Sequence, residues 1–268
     1  MTVSAALPGI ALLLAGVADA GGEPSPPDAA DMAPSLAFAP PVGEAMTYRV
    51  TTRQIGGNGS LARFSLVHRL EWHRAGRGFE LIATLEAVES DAPPAAARAV
   101  SGVLQPLVGE GVRYVIAADG RRVDLVDPDG LWERVTARAI ALGEGDGRAE
   151  SRQMAALLAA LSPHQREEMA TAEIRALFAA LNGRLPMAGP GVSVRQLDGR
   201  RIVAKLDRDT LPPAAGGKSR RPIEVATTWE VDTATGLVVK EQRQTWLIEP
   251  GGARSLVEER VRAIEPEK

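Results

Sequence analysis

Apolar and polar residues alternate along one long segment of the chain, and this alternation constrains the fold more than any other feature. From Leu61 to Arg74 one set of alternate positions is mainly apolar and the other is mainly polar. Successive side chains of a strand point to opposite faces, so the pattern predicts a long strand with one buried face. The side chains expected on that buried face are Phe64, Leu66, His68, Leu70 and Trp72.

The same alternation recurs near both ends of the chain, with Gly-rich and Pro-rich turn segments between the runs. The further strand segments are predicted at 46–50, 79–85, 203–206, 223–232, 237–248 and 255–264. No regular strand–helix–strand alternation is present, so a parallel sheet is not expected. The fold class predicted is β-rich α+β: a large curved antiparallel sheet of about ten strands, as a half-barrel or open barrel, with a helical insertion covering its concave face.

Two dipeptides predict tight hairpins. Asp119-Gly120 and Asp198-Gly199 each stand between apolar runs. Both residues of a two-residue type I′ turn need positive φ angles, which Asp and Gly tolerate better than most residues. A type I′ hairpin is therefore expected at each position.

A helical block is predicted over about 128–183. Asp127 precedes the first proline of this block and is expected to cap a helix. Ser162 and Gln165 are spaced as a capping box, with Pro163 at the first helical position. Asn182-Gly183 is expected to end that second helix.

The N-terminal twenty residues predict export. Residues 5–17 are almost wholly apolar but too short to span a bilayer, and they are followed by the small-x-small sequence Ala18-Asp19-Ala20. The prediction is a signal peptide over 1–20 cleaved after about Ala20, and a mature protein in the periplasm. The alternative, an apolar N-terminal helix of the mature fold, stays open. Residues 21–42 are rich in Pro, Ala and Gly and predict a disordered leader, followed by a single domain over 43–265.

The composition excludes several classes of function. The chain has no cysteine, which excludes disulfides, thiolate catalysis, cysteine metal sites and a lipid-modified N-terminal cysteine. Its formal net charge of -3 provides no general attraction for nucleic acid, so no nucleic-acid partner is expected. No later apolar stretch is long enough to span a bilayer, and the chain is not expected to be an integral membrane protein.

No residue pattern nominates a catalytic or metal site. His68 and His73 are five positions apart on one predicted strand and therefore face opposite sides, and His164 lies far away in sequence. No nucleophile elbow, zinc-protease or phosphate-loop motif occurs. We therefore expect no catalytic residue, no metal and no cofactor, and an enzyme is the less favoured interpretation. An envelope hydrolase remains a third hypothesis, because strand glutamates could face one another as an acid–base pair.

The apolar face is the remaining candidate for function. A sheet with a tryptophan-bearing inner face forms either a filled core or a pocket for an apolar ligand, and the sequence leaves both open. The candidate ligand-binding residues are Phe64, Leu66, Leu70, Trp72, Leu81 and Trp229.

The order of elements resembles that of the periplasmic lipoprotein carriers, the Lol-type lipid-binding half-barrels, over roughly Val42 to Ile264. The resemblance implies a hydrophobic cavity between sheet and helices that binds a lipid or lipoprotein acyl chain. The alternative is a cell-envelope interaction module, in which exposed strand edges or the basic segment Lys218–Arg221 recruit a protein partner.

Overall fold

The computed structural model describes residues 36–55, 61–145, 156, 160–211, 221–249 and 251–266, which form one antiparallel sheet with three helices. The strands are β1 Ala45–Ile55, β2 Leu61–Ala75, β3 Gly78–Ser90, β4 Gly111–Ile116, β5 Val123–Leu125, β6 Val192–Leu197, β7 Arg200–Leu211, β8 Arg221–Asp232, β9 Val238–Ile248 and β10 Arg254–Pro266. The α-helices are α1 Pro94–Leu104, α2 Pro128–Gly145 and α3 Pro163–Leu177, with a short 3-10 helix at Gln105–Leu107.

The sheet joins two meanders through the first and last strands. Its strand order is β5-β4-β3-β2-β1-β10-β9-β8-β7-β6, and every neighbouring pair is antiparallel. Strands β5 and β6 form the two edges, so the sheet is open. The predicted fold class, an antiparallel sheet of about ten strands with helical elements, is confirmed.

The two predicted hairpins differ in outcome. At Asp198-Gly199 both φ angles are positive, 45° and 73°, and Leu197 pairs with Arg200, which confirms a two-residue turn.

The type I′ prediction at Asp119-Gly120 is wrong, because only Gly120 has a positive φ and the loop is wider. It is closed by a hydrogen bond from the Ala117 N–H to the Arg122 carbonyl at 3.0 Å. This wider loop places Gly120 against the core, where an added Cβ would lie 2.6 Å from Leu181 Cδ1.

Both predicted helix starts are confirmed. The Ser162 hydroxyl accepts from the Gln165 N–H, and the Gln165 side chain accepts from the Ser162 N–H, as in a capping box. The Asp127 carboxylate accepts from the Gly130 N–H at 3.2 Å at the start of α2.

The predicted end of α3 is wrong by several residues. The helix ends at Leu177 instead of Asn182-Gly183, and the chain continues in turns. Phe178 leaves helical geometry, with φ -103° and ψ 9°, and its ring is fully buried against Trp72. The helix therefore ends where the chain places this ring in the core.

One face of the sheet, called the inner face here, is covered by α3 and the turns that follow it. The main core cluster joins this face to Ile174, Leu177 and Phe178. The predicted leader reaches this core, because Phe38 packs edge-on against Trp72. Residues 36–42 are therefore not a free tether. The predicted signal peptide and residues 21–35 lie outside the described residues.

Candidate functional site

The six predicted ligand-binding residues occupy different environments on the inner face. Leu70, Trp72 and Leu81 have no exposed surface and belong to the cluster that α3 covers. Leu66 is partly buried against the same cluster, and Phe64 is half-buried.

Trp229 lies on β8, separated from β2 by three strands, and packs against a second cluster that contains Val203 and Val231. The structure therefore brings four of the six residues into one packed cluster and separates Trp229 from them. That these residues contact a ligand stays a prediction.

A cavity of about 450 Å³, called the inner-face cavity here, lies beside this packed core. Its apolar lining consists mainly of Met46, Leu237, Val239 and Ile264. Met46, Val239 and Ile264 are only partly buried, unlike the residues beneath α3. None of the six predicted residues lines it. A smaller cavity of about 150 Å³ lies between the start of α2 and β4.

Strand geometry and the N-terminal segment together build the inner-face cavity. Tyr48 pairs with Ile264, and Met46 is two residues from Tyr48, so all three share the inner face. The segment before β1 is held over the strand ends by two hydrogen bonds, from the Ala39 N–H to the Thr235 carbonyl at 3.1 Å and from the Gly43 N–H to the Trp72 carbonyl at 3.0 Å.

Polar side chains also line the inner-face cavity. Arg200 and Asp232 both line it, with Arg200 Nη1 lying 3.5 Å from Asp232 Oδ2. Glu44 and Thr235 also contribute to the lining. The lining is therefore mixed, since six of its ten residues are apolar and four are polar or charged.

A cluster of four charged side chains lies on the inner face where α3 meets β9 and β10. Glu173 of α3 binds the guanidinium of Arg260, and its Oε2 lies 2.8 Å from Arg262 Nε. Arg262 Nη1 also lies 2.6 Å from Glu241 Oε1. The Tyr48 hydroxyl donates to Glu173 Oε2 at 3.4 Å. These contacts connect the helix to strands in both halves of the sheet.

Burial and the charges in this cluster shift the pKa values of Glu173 and Tyr48. Burial alone would raise the pKa of Glu173, but the charge and hydrogen bonds of Arg262, together with the charge of Arg260, hold that pKa below its usual value. Burial, and then the charge of Glu173, raises the pKa of Tyr48 well above its usual value. A general acid in a hydrolase needs a raised carboxyl pKa, so the shift at Glu173 runs opposite to that requirement.

The histidines remain apart, as predicted from their spacing. His68 is packed beside Tyr48, with ring centroids 6.0 Å apart, whereas His73 is exposed. Burial lowers the pKa of His68, and its Nδ1 has no hydrogen-bond partner among the described residues. Within the part of the chain that the structure describes, no group of three His, Asp or Glu side chains could hold a metal ion.

Sequence reasoning missed both the inner-face cavity and the charge cluster. One signal for the cluster was available, because Arg260 and Arg262 alternate in step with Ile264 and therefore face inward. An arginine at an inward position needs a carboxylate partner. The identity of that partner, Glu173, depends on how α3 lies across the sheet.

Comparisons with known proteins give little guidance. No protein-family model matches the chain, and no match was found among curated proteins. A solved structure described as lipid–protein interactions in lipovitellin shares 11% identity with a TM-score of 0.37. The match covers 85% of this chain but only 25% of that one, so the chain spans about a quarter of its length. A likeness at this level carries no argument about function.

Among the described residues, no helix combines the length and the apolar character needed to cross a bilayer.

Proposed function

We propose that this chain is an exported, non-enzymatic protein that binds an apolar ligand, a lipid or a lipoprotein acyl chain, on the inner face of its sheet beside the part that α3 covers. The inner-face cavity is the observation that carries the proposal. Its volume of about 450 Å³ is within the range of small-ligand pockets, which is roughly 300–1,000 Å³. Export rests on the N-terminal sequence.

The partly buried floor of the cavity supplies the driving force for binding. Met46, Val239 and Ile264 keep some apolar surface that a ligand would remove from water. Each methylene group buried in such a site contributes about 0.8 kcal/mol. The floor is attached to a fully packed core, so it is held in place before a ligand arrives, which reduces the ordering cost of binding.

A cavity-filling substitution tests this site. Val239→Trp and, separately, Met46→Trp place a large ring where the ligand would lie. Each is expected to weaken binding of a neutral probe, dodecanol, by at least about 10-fold in calorimetric titration, because filling the site displaces several methylenes. Val115→Trp is the matched control, since Val115 lies on β4 away from the cavity and is exposed. If both cavity variants bind dodecanol with wild-type affinity and their circular dichroism shows that they are folded, the ligand does not bind in this cavity.

One observation favours a second candidate, the envelope interaction module. Strand β6 is an edge of the sheet, and five of its six residues are exposed, including Val194 and Leu197. An exposed edge strand can pair with a strand of another protein. The basic segment Lys218–Arg221 lies almost wholly outside the described residues.

Pull-down from envelope extracts separates the two candidates. A lipid carrier arrives with lipid, whereas an adaptor arrives with a protein. If β6 is the docking edge, Val194→Lys abolishes recovery of that protein, because a charge on an edge strand opposes pairing. Recovery unchanged by Val194→Lys would exclude β6.

A further inference from the structure

A row of cationic residues crosses the inner face beyond the charge cluster. Arg260 on β10 stands directly opposite Arg243 on β9. Arg243 stands opposite Thr227 on β8, which in turn stands opposite Lys205 on β7. Like charges directly opposite each other in a sheet are destabilising. Arg243 is exposed, so water screens part of this repulsion, and an anion bound between the two guanidinium groups would offset the rest.

Among the described residues, nearby carboxylates neutralise only part of the positive charge of Arg243, Arg260 and Arg262. Glu173 is shared between Arg260 and Arg262, and Arg262 also binds Glu241. Among the described residues Arg243 makes no ion pair, and Arg260 Nε is buried without a hydrogen-bond partner. Arg260 therefore keeps one unused donor on this face, and the exposed Arg243 beside it can turn its donors from solvent to a ligand.

Among the described residues, the inner-face carboxylates of Asp207 and Glu258 do not bind Arg243 or Arg260. Lys205 is paired with Asp207 at 2.9 Å. Glu258, which stands opposite Thr245, lies on the same face as Arg260. Within the described part of the chain it forms no ion pair with Arg243 or Arg260.

The arginine pair lies within reach of the inner-face cavity. Arg260 and Ile264 share the inner face of β10 and are four residues apart, a distance of about 13 Å along a strand. Glu173 of α3 covers Arg262, so the route for a linear amphiphile runs beside the helix along β9, from Val239 in the cavity lining to the exposed Arg243 opposite Arg260. Arg262 and Glu241 lie between the two ends and are already paired with each other.

We propose that the ligand is an anionic amphiphile, whose carboxylate or phosphate binds between Arg243 and Arg260. Guanidinium groups match the planar, multidentate geometry of both anions and give strong charge-assisted hydrogen bonds. The anion supplies the negative charge that Arg243 lacks, and it accepts from the unpartnered Nε of Arg260. This inference rests on the proposed function, because the apolar end of the ligand occupies the inner-face cavity.

Titration calorimetry of the purified protein at pH 8 tests the inference with four probes: dodecanoate, dodecyl phosphate, dodecanol and inorganic phosphate. Wild-type protein is expected to bind the two anionic amphiphiles at least about 10-fold more tightly than dodecanol. Arg243→Gln is expected to weaken binding of the anionic amphiphiles by about 10-fold to 100-fold and to weaken dodecanol binding by less than about 5-fold, because a neutral hydroxyl loses only an uncharged hydrogen bond. Lys240→Gln is the matched control, because Lys240 lies on the same strand, is paired with Glu230 and faces the opposite side.

The outcomes separate this inference from the proposed function. Equal affinity for dodecanoate and dodecanol in the wild type, or an Arg243→Gln effect no larger than that of Lys240→Gln, overturns the inference and leaves the proposed function standing. Inorganic phosphate binding as tightly as dodecyl phosphate also overturns it, since the site would then bind free phosphate. Failure of every amphiphile to bind overturns both.

Discussion

Replacement of Glu173 by glutamine tests how α3 is held on the sheet. The carboxylate binds Arg260 and Arg262, and Glu173→Gln would leave Arg260 without a carboxylate partner. Removing one partner of a fully buried ion pair costs about 3–5 kcal/mol, whereas an exposed pair contributes about 0–1 kcal/mol. The Glu173 side chain is 28% exposed, so we expect a loss of about 2 kcal/mol and a Tm lower by about 4–8 °C.

Urea unfolding at pH 7, followed by tryptophan fluorescence, measures this loss. Glu167→Gln is the matched control, since Glu167 is on the same helix and its pair with Arg175 is long and exposed. The control is expected to change the free energy of unfolding by less than about 0.5 kcal/mol. A Glu173→Gln variant as stable as this control would refute the argument that the cluster anchors α3.

The same variant has a defined pH dependence. The pKa of Glu173 is lower in the folded protein than in the unfolded chain, so the carboxylate stabilises the fold above its unfolded pKa of about 4.3. This contribution is lost as the pH falls through the folded pKa. The stability difference between wild type and Glu173→Gln should therefore shrink in acid, and a constant difference down to pH 3 would contradict the assignment.

Further substitutions test the core, a cap, a turn and the buried histidine. Trp72→Ala should cost about 3–5 kcal/mol in urea unfolding, and an effect under about 1 kcal/mol would show that the site is not packed. Ser162→Ala should cost about 1 kcal/mol through loss of the capping box, measured in the same way. Gly199→Ala should cost about 1–2 kcal/mol because its φ is +73°, and a neutral result would contradict the type I′ turn. Burial lowers the pKa of His68, so wild-type stability should fall as the pH drops below about 6.5, and His68→Phe should lack that part of the slope.

Local sequence patterns predicted the elements well where the deciding interactions are local. Alternation in β2, the capping box at Ser162 and the Asp198-Gly199 turn each depend on residues close together in the chain. The two local errors both arise from tertiary packing. Gly120 packs against Leu181, and Phe178 lies outside the helix with its ring in the core.

The candidate site was less predictable because its parts are distant in sequence. Glu173 meets Arg260 and Arg262 across 87 and 89 residues, and this contact depends on where α3 crosses the sheet. The inner-face cavity joins β1 to the β8–β9 turn and the end of β10. Alternation identified which face is apolar, but it could not show which part of that face is filled by α3 and which part stays partly open.

Native mass spectrometry gives the most direct test of the central claim, that the inner face binds an apolar ligand. The full chain would be produced with its N-terminal segment, recovered from the periplasm without detergent, and compared before and after organic extraction. The account predicts an added mass of one ligand per chain, removed by extraction and absent from the Val239→Trp variant. A wild-type protein with only its apo mass, and no dodecanol binding on addition, would contradict the account.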